Sequence, residues 1–420
     1  MAHHIIHRIN LEVKVPDREA AQAIHTRMPA ILKNDILPAL EKLLDRVDPQ
    51  GQNYRWENIN LDLKTISPEI LESGISEMVA EKLQEKLRIQ LSSVPETEKN
   101  KEEAPLLISE EEKSIEKFLY FLQTGQLPWW SSHSRAMLKP EEWLKIPSRR
   151  RSSLRKQLVQ LLTENPVALE RFALQFPQAE VIKFVISLAT GKQPQETEIR
   201  KISQRISRNA NGLREEITRL LKNITPPPEK PGRSLQPEDV SVKKRTPKPN
   251  KKDEGILVQN AGIVLLHPFL GSFFSALGLL KNTQFTDKQA QHTAIHLLHY
   301  LSAGQTQPME YELTLEKYLC GCEPEEVVPR FVPISKTMKQ ESDKLLRAAI
   351  EHWKALKKTS PAGLREGFLQ REGKLIQNDA QDLLLVESKS VDVLLSYLPW
   401  GLGVIKLPWL NKPFTVELNH

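Results

Sequence analysis

The chain has 420 residues, of which 39% are hydrophobic, and this is enough apolar content for two or three domains with buried cores. Full disorder is therefore excluded, and 59 basic against 53 acidic residues is too even a balance for a protein whose task is to neutralise nucleic-acid phosphates. The sequence has two cysteines, Cys320 and Cys322, and opens without the basic and apolar regions of a secretory leader, so we expect a cytoplasmic protein.

The first 91 residues carry two alternating apolar runs and two apolar patterns of helical period. Alternation at residues 5–15 and 59–63 predicts two strands with one apolar face each. Asp17 precedes the first helical pattern and Ser67 the second, and both residue types favour a helix N-terminus. We therefore predict a compact β-α-β-α module at residues 1–91.

The rest of the chain alternates polar connections with folded parts. Residues 92–112 are rich in Ser, Pro, Glu and Lys, which predicts a linker, and residues 113–224 show short helical patterns broken at Pro and Gly. Residues 225–254 hold seven prolines and many lysines, the composition of an extended tether. Short strand-like and helical patterns then predict a mixed α/β C-terminal domain at residues 255–420. The predicted fold class is a mainly helical, multi-domain α+β protein.

An uncharged stretch at residues 261–280 raises the alternative of a membrane-anchoring subunit. Gln259 and Asn260 before it, and His267 and Pro268 inside it, are unfavourable in hydrocarbon. We therefore predict a buried core helix here, and expect no membrane partner.

Three histidines form the strongest indication of chemistry. His292, His296 and His299 have the i, i+4, i+7 spacing of one helical face and could ligate a metal, which would suit a metal-dependent hydrolase. No acidic residue or cysteine completes the set at ligand spacing, and the chain lacks phosphate-binding glycine loops and nucleophile motifs. We therefore expect structural histidines, no catalytic residue, no metal, no cofactor and no small-molecule substrate.

Tryptophans beside prolines are the most unusual feature of the sequence. A Leu-Pro-Trp string occurs three times and contains Trp129, Trp400 and Trp409, with Trp130 directly after the first. Tryptophan offers a large rigid surface at low entropic cost, which suits a core corner or a docking surface. The four tryptophans are therefore candidate docking residues, with core packing as the alternative.

Several long, uncommon strings of residues recur in one known family. These strings lie at residues 4–6, 59–63, 121–130, 260–270, 296–301, 319–321, 352–356 and 364–375, and in the Leu-Pro-Trp pair of Trp400 and Trp409. In them the chain resembles the tape-measure proteins of contractile injection systems, which are phage-tail-like particles.

The resemblance implies a non-catalytic structural component that sets or supports tube length. It also implies docking to inner tube, tip or baseplate proteins, with the chain cytoplasmic during assembly and later inside or associated with the particle. No nucleic-acid partner is expected. Residues 96–254 would then carry any length information, and shortening the 225–254 tether would shorten the tube.

Overall fold

A computed structural model describes most of the chain as two compact units, Met1–Ile115 and Glu116–His420. The core of the predicted linker and the whole predicted tether lie outside the described residues. These described residues are 4–6, 8–47, 54–56, 58–92, 106–131, 142, 146, 148–206, 212–222, 255–356, 358–378 and 381–419.

Helices form the body of the first unit. The Asp17 carboxylate accepts a hydrogen bond from the Ala20 N–H at 2.8 Å, which is the predicted N-cap. A π-helical turn opens just before Pro38, whose ring needs room against the preceding turn. The elements are α1 (Arg18–Ile31), the π turn (Leu32–Ile36), α2 (Leu37–Val47), α3 (Pro68–Ser73) and α4 (Ile75–Ser92).

The two strands predicted at residues 5–15 and 59–63 are absent from the described first unit, so the β-α-β-α prediction was wrong in its strands. Ile59, Leu61 and Leu63 of the second segment instead pack on the core between α2 and α4. In the first segment Ile9 does so, whereas Ile5, Leu11 and Val13 are exposed. An extended segment can bury one face without forming a hydrogen-bonded ladder. Period-two patterning alone does not distinguish such a segment from a strand.

A short ladder does form at another place in the first unit. Strand β1 (Tyr54–Arg55) pairs antiparallel with β2 (Leu106–Leu107), and β2 falls within the predicted linker at 92–112. The next helix, α5, begins at Glu110, so ordered structure starts earlier than the polar composition indicated.

The second unit begins as a helical array built around aromatic side chains. Phe118 packs edge-to-face against Phe172, Phe176 and Phe184, with ring centroids 5.9–6.4 Å apart. Gly125 ends the first helix in a left-handed conformation and donates its N–H to the Phe121 carbonyl. The helices are α5 (Glu110–Thr124), α6 (Ser148–Glu164), α7 (Pro166–Gln175), α8 (Gln178–Thr190), α9 (Glu196–Ile206) and α10 (Gly212–Lys222).

A mixed five-stranded sheet organises the C-terminal part of the second unit. The strand order is β3-β6-β7-β9-β8, antiparallel except for the parallel pair β7 and β9. These strands are β3 (Ile256–Val258), β6 (Gly373–Ile376), β7 (Asp382–Glu387), β8 (Val404–Ile405) and β9 (Phe414–Asn419), beside a hairpin of β4 (Leu280–Lys281) and β5 (Gln284–Phe285).

Helices cover the sheet and enclose one large apolar core. The chain is thus a mainly helical α+β protein, as predicted. The covering helices are α11 (His267–Ala276), α12 (Lys288–Ala303), α13 (Thr314–Leu319), α14 (Lys336–His352) and α15 (Pro361–Leu364), together with 3-10 helices Ala261–Leu266, Glu310–Leu313, Lys354–Leu356 and Ser390–Tyr397 and a π turn at Arg365–Leu369.

The uncharged stretch 261–280 folds as two short helices rather than one long one. A buried 3-10 helix, Ala261–Leu266, is followed by α11, with Pro268 in the first turn of α11. A Cβ atom on Gly262 would lie 1.7 Å from the Phe368 carbonyl oxygen, so this backbone is packed against protein. In the described parts of the chain, no helix combines the length and apolarity needed to cross a bilayer.

A buried charged cluster joins the helical array to the C-terminal part of the same unit. Arg171 on α7 donates to both Glu310 carboxylate oxygens, at 2.9 and 3.3 Å, and to the Leu122 carbonyl at 2.7 Å. Lys317 donates to Glu310 at 2.9 Å, and all three side chains are buried. Residues 113–224 and 255–420, predicted as separate folded regions, are therefore packed together.

We predict that Glu310→Gln destabilises the protein by about 3–5 kcal/mol, because it leaves two buried cations without their shared carboxylate. Urea denaturation of full-length protein, followed by circular dichroism, measures this change. The matched control is Glu351→Gln on an exposed helix surface, which should stay within about 0.5 kcal/mol of wild type. Equal effects for the two variants would contradict the assignment.

Candidate functional site

The four candidate docking tryptophans lie in different surroundings. Trp409 is 7% exposed, packs against Phe274 and Phe285, and donates its indole N–H to the Leu319 carbonyl at 2.7 Å. Its ring is part of the core in this fold. Trp129 and Trp130 are half-buried in a 3-10 turn after α5, and the Lys117 ammonium lies 5.6 Å from the Trp130 ring centre.

Trp400 is half-buried at the side of the sheet. Its indole N–H donates to the Leu265 carbonyl at 3.0 Å, and its ring meets Phe269 edge-on at 5.2 Å. One side of the ring is thereby fixed against the core. The Leu-Pro-Trp string alone did not separate Trp400 from Trp409, because their distinct surroundings come from residues far away in the sequence.

Trp400 lines an open groove of about 520 Å³ beside strand β9. Two exposed apolar side chains, Val393 and Tyr397, lie close in sequence to the lining residues Leu395 and Leu398 and are 68% and 67% exposed. Among the described lining residues, Glu417 is the single titratable one, so the groove is suited to binding apolar groups. The lining residues are Leu395, Leu398, Trp400, Leu402, Val416, Glu417 and Leu418.

Sequence reasoning identified Trp400 but missed the rest of the groove. Leu395 and Leu398 lie in and just after the 3-10 helix Ser390–Tyr397, where apolar residues have no clear period. A usable signal was the density of apolar residues on both sides of Gly401 and Gly403, since glycine pairs often mark a break in a strand.

The three histidines of the metal hypothesis have different partners. His296 Nε2 lies 2.8 Å from the Pro329 carbonyl oxygen, whereas His299 Nδ1 lies 3.6 Å from a Glu316 carboxylate oxygen. His292 Nε2 is 3.9 Å from a Glu326 oxygen. Throughout the described ranges, no three His, Cys, Asp or Glu side chains are grouped so that they could hold a metal ion.

Burial sets the protonation of the buried groups around α12. It lowers the pKa of His296 to about 4, because the imidazolium would lose its hydration, and the neutral ring donates its Nε2 proton to the Pro329 carbonyl. Burial also raises the pKa of the Cys322 thiol to about 12 and that of Cys320 well above its ordinary value. Both thiols are thus poor nucleophiles in this environment.

We predict that His296 makes the fold sensitive to acid. Between pH 7 and pH 5 the unfolded imidazole, with an ordinary pKa of 6.5, takes up a proton that the folded one does not. Stability should therefore fall by about 2 kcal/mol over this range. His296→Gln, which keeps a donor near the Pro329 carbonyl but cannot titrate, should lose most of that dependence. Urea denaturation at both pH values tests this, and equal slopes for the two proteins would contradict it.

Comparisons with known proteins identify the family. Neither the curated proteins nor the solved structures contain a match to this chain. The family model described as contractile injection system tape measure protein matches residues 3–224 and again residues 191–418, so that the two matches together cover nearly the whole sequence. The chain therefore belongs to the contractile injection system tape measure protein family.

Proposed function

We propose that this protein is a non-catalytic assembly component of a phage-tail-like contractile injection particle, docking to inner tube, tip or baseplate proteins and supporting tube length. The observation that carries the proposal is the family match over nearly the whole chain. It fits a chain that is cytoplasmic during assembly and afterwards inside or associated with the particle.

The surface features support docking rather than catalysis. The groove beside β9 is lined mainly by apolar side chains, and the nearby 3-10 helix Ser390–Tyr397 exposes Val393 and Tyr397. Exposed apolar surface of this kind is typical of an interaction site. Trp400 is the docking candidate best placed for such a role, whereas Trp409 would contribute by holding the core in shape.

The packing of the second unit bears on how length is supported. Residues 223–254 connect α10 to β3, and the helical array and the sheet lie in one compact unit joined by Arg171 and Glu310. Stretching residues 223–254 would therefore not move the helical array away from the sheet, because the two are packed together. We therefore propose that the protein supports tube length as a scaffold, and that residues 225–254 do not measure it.

The test is a deletion of residues 230–249 in the native particle. As a polyproline-like spacer, this segment would contribute at most about 60 Å of reach. We expect tubes of unchanged length in electron micrographs, because the remaining connection still joins parts of one unit. A variant in which those 20 residues are replaced by Gly and Ser at equal length is the matched control.

Tubes shorter by about 60 Å in the deletion, with normal length in the Gly/Ser control, would contradict the scaffold proposal and establish a ruler. Absence of this protein from purified tubes, tips and baseplates would contradict the docking role itself. Quantitative mass spectrometry of purified particles measures that association.

A further inference from the structure

The sheet has an incomplete edge at its C-terminal strand. Strand β8 pairs with β9 only over Phe414 and Thr415, and the Val416 N–H adds one more bond to the Gly403 carbonyl at 2.9 Å. The chain before Gly403 then leaves the ladder, as Leu402 turns into the groove. The outer edge of β9 beyond this point is uncovered by any described strand.

Backbone geometry shows which groups this edge presents. Successive residues of a strand direct their N–H and C=O groups to opposite sides, so that residues two apart face the same side. Leu418 therefore faces the same side as Val416, away from β7. Outside the strand ladders, no hydrogen bond in the described part of the chain reaches the Val416 carbonyl or the Leu418 N–H and carbonyl. Three backbone groups are thus available to a further strand.

The groove lies directly beside these groups. Val416 and Leu418 contribute their side chains to one wall, and Leu395, Leu398 and Trp400 line the rest. A strand added to β9 would turn every second side chain to the same face. Those side chains would enter the groove, so the backbone edge and the apolar cavity form one continuous binding surface.

The charge of Glu417 indicates a second feature of a strand that would add to β9. Glu417 lies between Val416 and Leu418, and its exposed side chain belongs to the opposite face of the strand. No described cation lies within ion-pair distance of its carboxylate. A basic residue of an added strand, on the face away from the groove, would be well placed to pair with it.

We propose that β9 and this groove bind an extended segment of another particle protein by strand addition. The segment carries apolar residues at every second position and a Lys or Arg opposite Glu417. Main-chain hydrogen bonds to Val416 and Leu418 supply binding, and the groove selects the side chains. This inference rests on the docking role proposed above and gives that role a surface and a partner chemistry.

The test uses full-length protein and a phage-displayed library of random dodecapeptides. Phage are selected for binding to the wild-type protein, and phage that bind the Leu418→Pro variant are removed. This selection should enrich peptides with apolar residues at every second position and a basic residue. Proline removes the outward N–H, and because that group does not pair with β7 the sheet remains intact. Synthetic versions of the enriched peptides should bind Leu418→Pro and Leu395→Asp at least about tenfold more weakly.

Three controls make the result specific. Leu257→Asp, at the exposed opposite edge of the sheet, should leave peptide affinity unchanged, and thermal melting should show that every variant is folded. Glu417→Lys should weaken peptides that contain the basic residue by about threefold to tenfold. Peptides lacking that residue should bind this variant as they bind wild type.

Two results would overturn the inference. One is a selection that yields no alternating peptides, or only peptides that bind Leu418→Pro equally well. The other is self-association of wild type that Leu418→Pro abolishes, because the occupant would then be a second copy of the chain. Either result, obtained while the protein is still found in purified particles, would leave the assembly role intact.

Discussion

The second unit depends on one carboxylate that two buried cations share. Glu310 accepts from Arg171 and Lys317, and Arg171 also donates to the carbonyls of Leu122 and Glu325. Removing these charges from water is costly, and only complete hydrogen bonding offsets the cost. The cluster therefore requires the helical array and the sheet region to meet in one arrangement, since other contacts would leave a charge unpaired.

Neighbouring residues leave space for the Glu310 carboxylate and add hydrogen bonds beside it. A Cβ atom on Gly125 would lie 2.6 Å from a Glu310 oxygen, so the left-handed glycine that ends α5 also makes room for the cluster. Gln175 donates to the Val328 carbonyl and accepts from the Glu310 N–H, which adds two bonds across the same contact. A polar joint of this kind specifies geometry more strictly than an apolar one, because each bond has a direction.

Local signals in the sequence located helix ends well. Asp17 and Ser67 were predictable as helix N-caps because each side chain accepts a hydrogen bond from an N–H only three residues away. Strand formation depends on distant partners, and residues 5–15 alternate without forming a ladder. Of their apolar side chains Ile9 packs on the core, whereas Leu11 and Val13 are exposed. The Arg171 and Glu310 pair was not predictable either, since 139 residues separate its members and each looks like an ordinary surface charge.

The same limit applies to the candidate site. Trp400 and Trp409 occupy the same short motif, yet one lines a groove and the other fills the core. The difference arises because β9 continues past the point where β8 ends, so that a half-buried apolar wall remains beside Trp400. An exposed strand edge next to apolar surface is a hazard for aggregation unless something covers it. The strand addition proposed above would supply this cover, so a component of an assembled particle could retain such an edge.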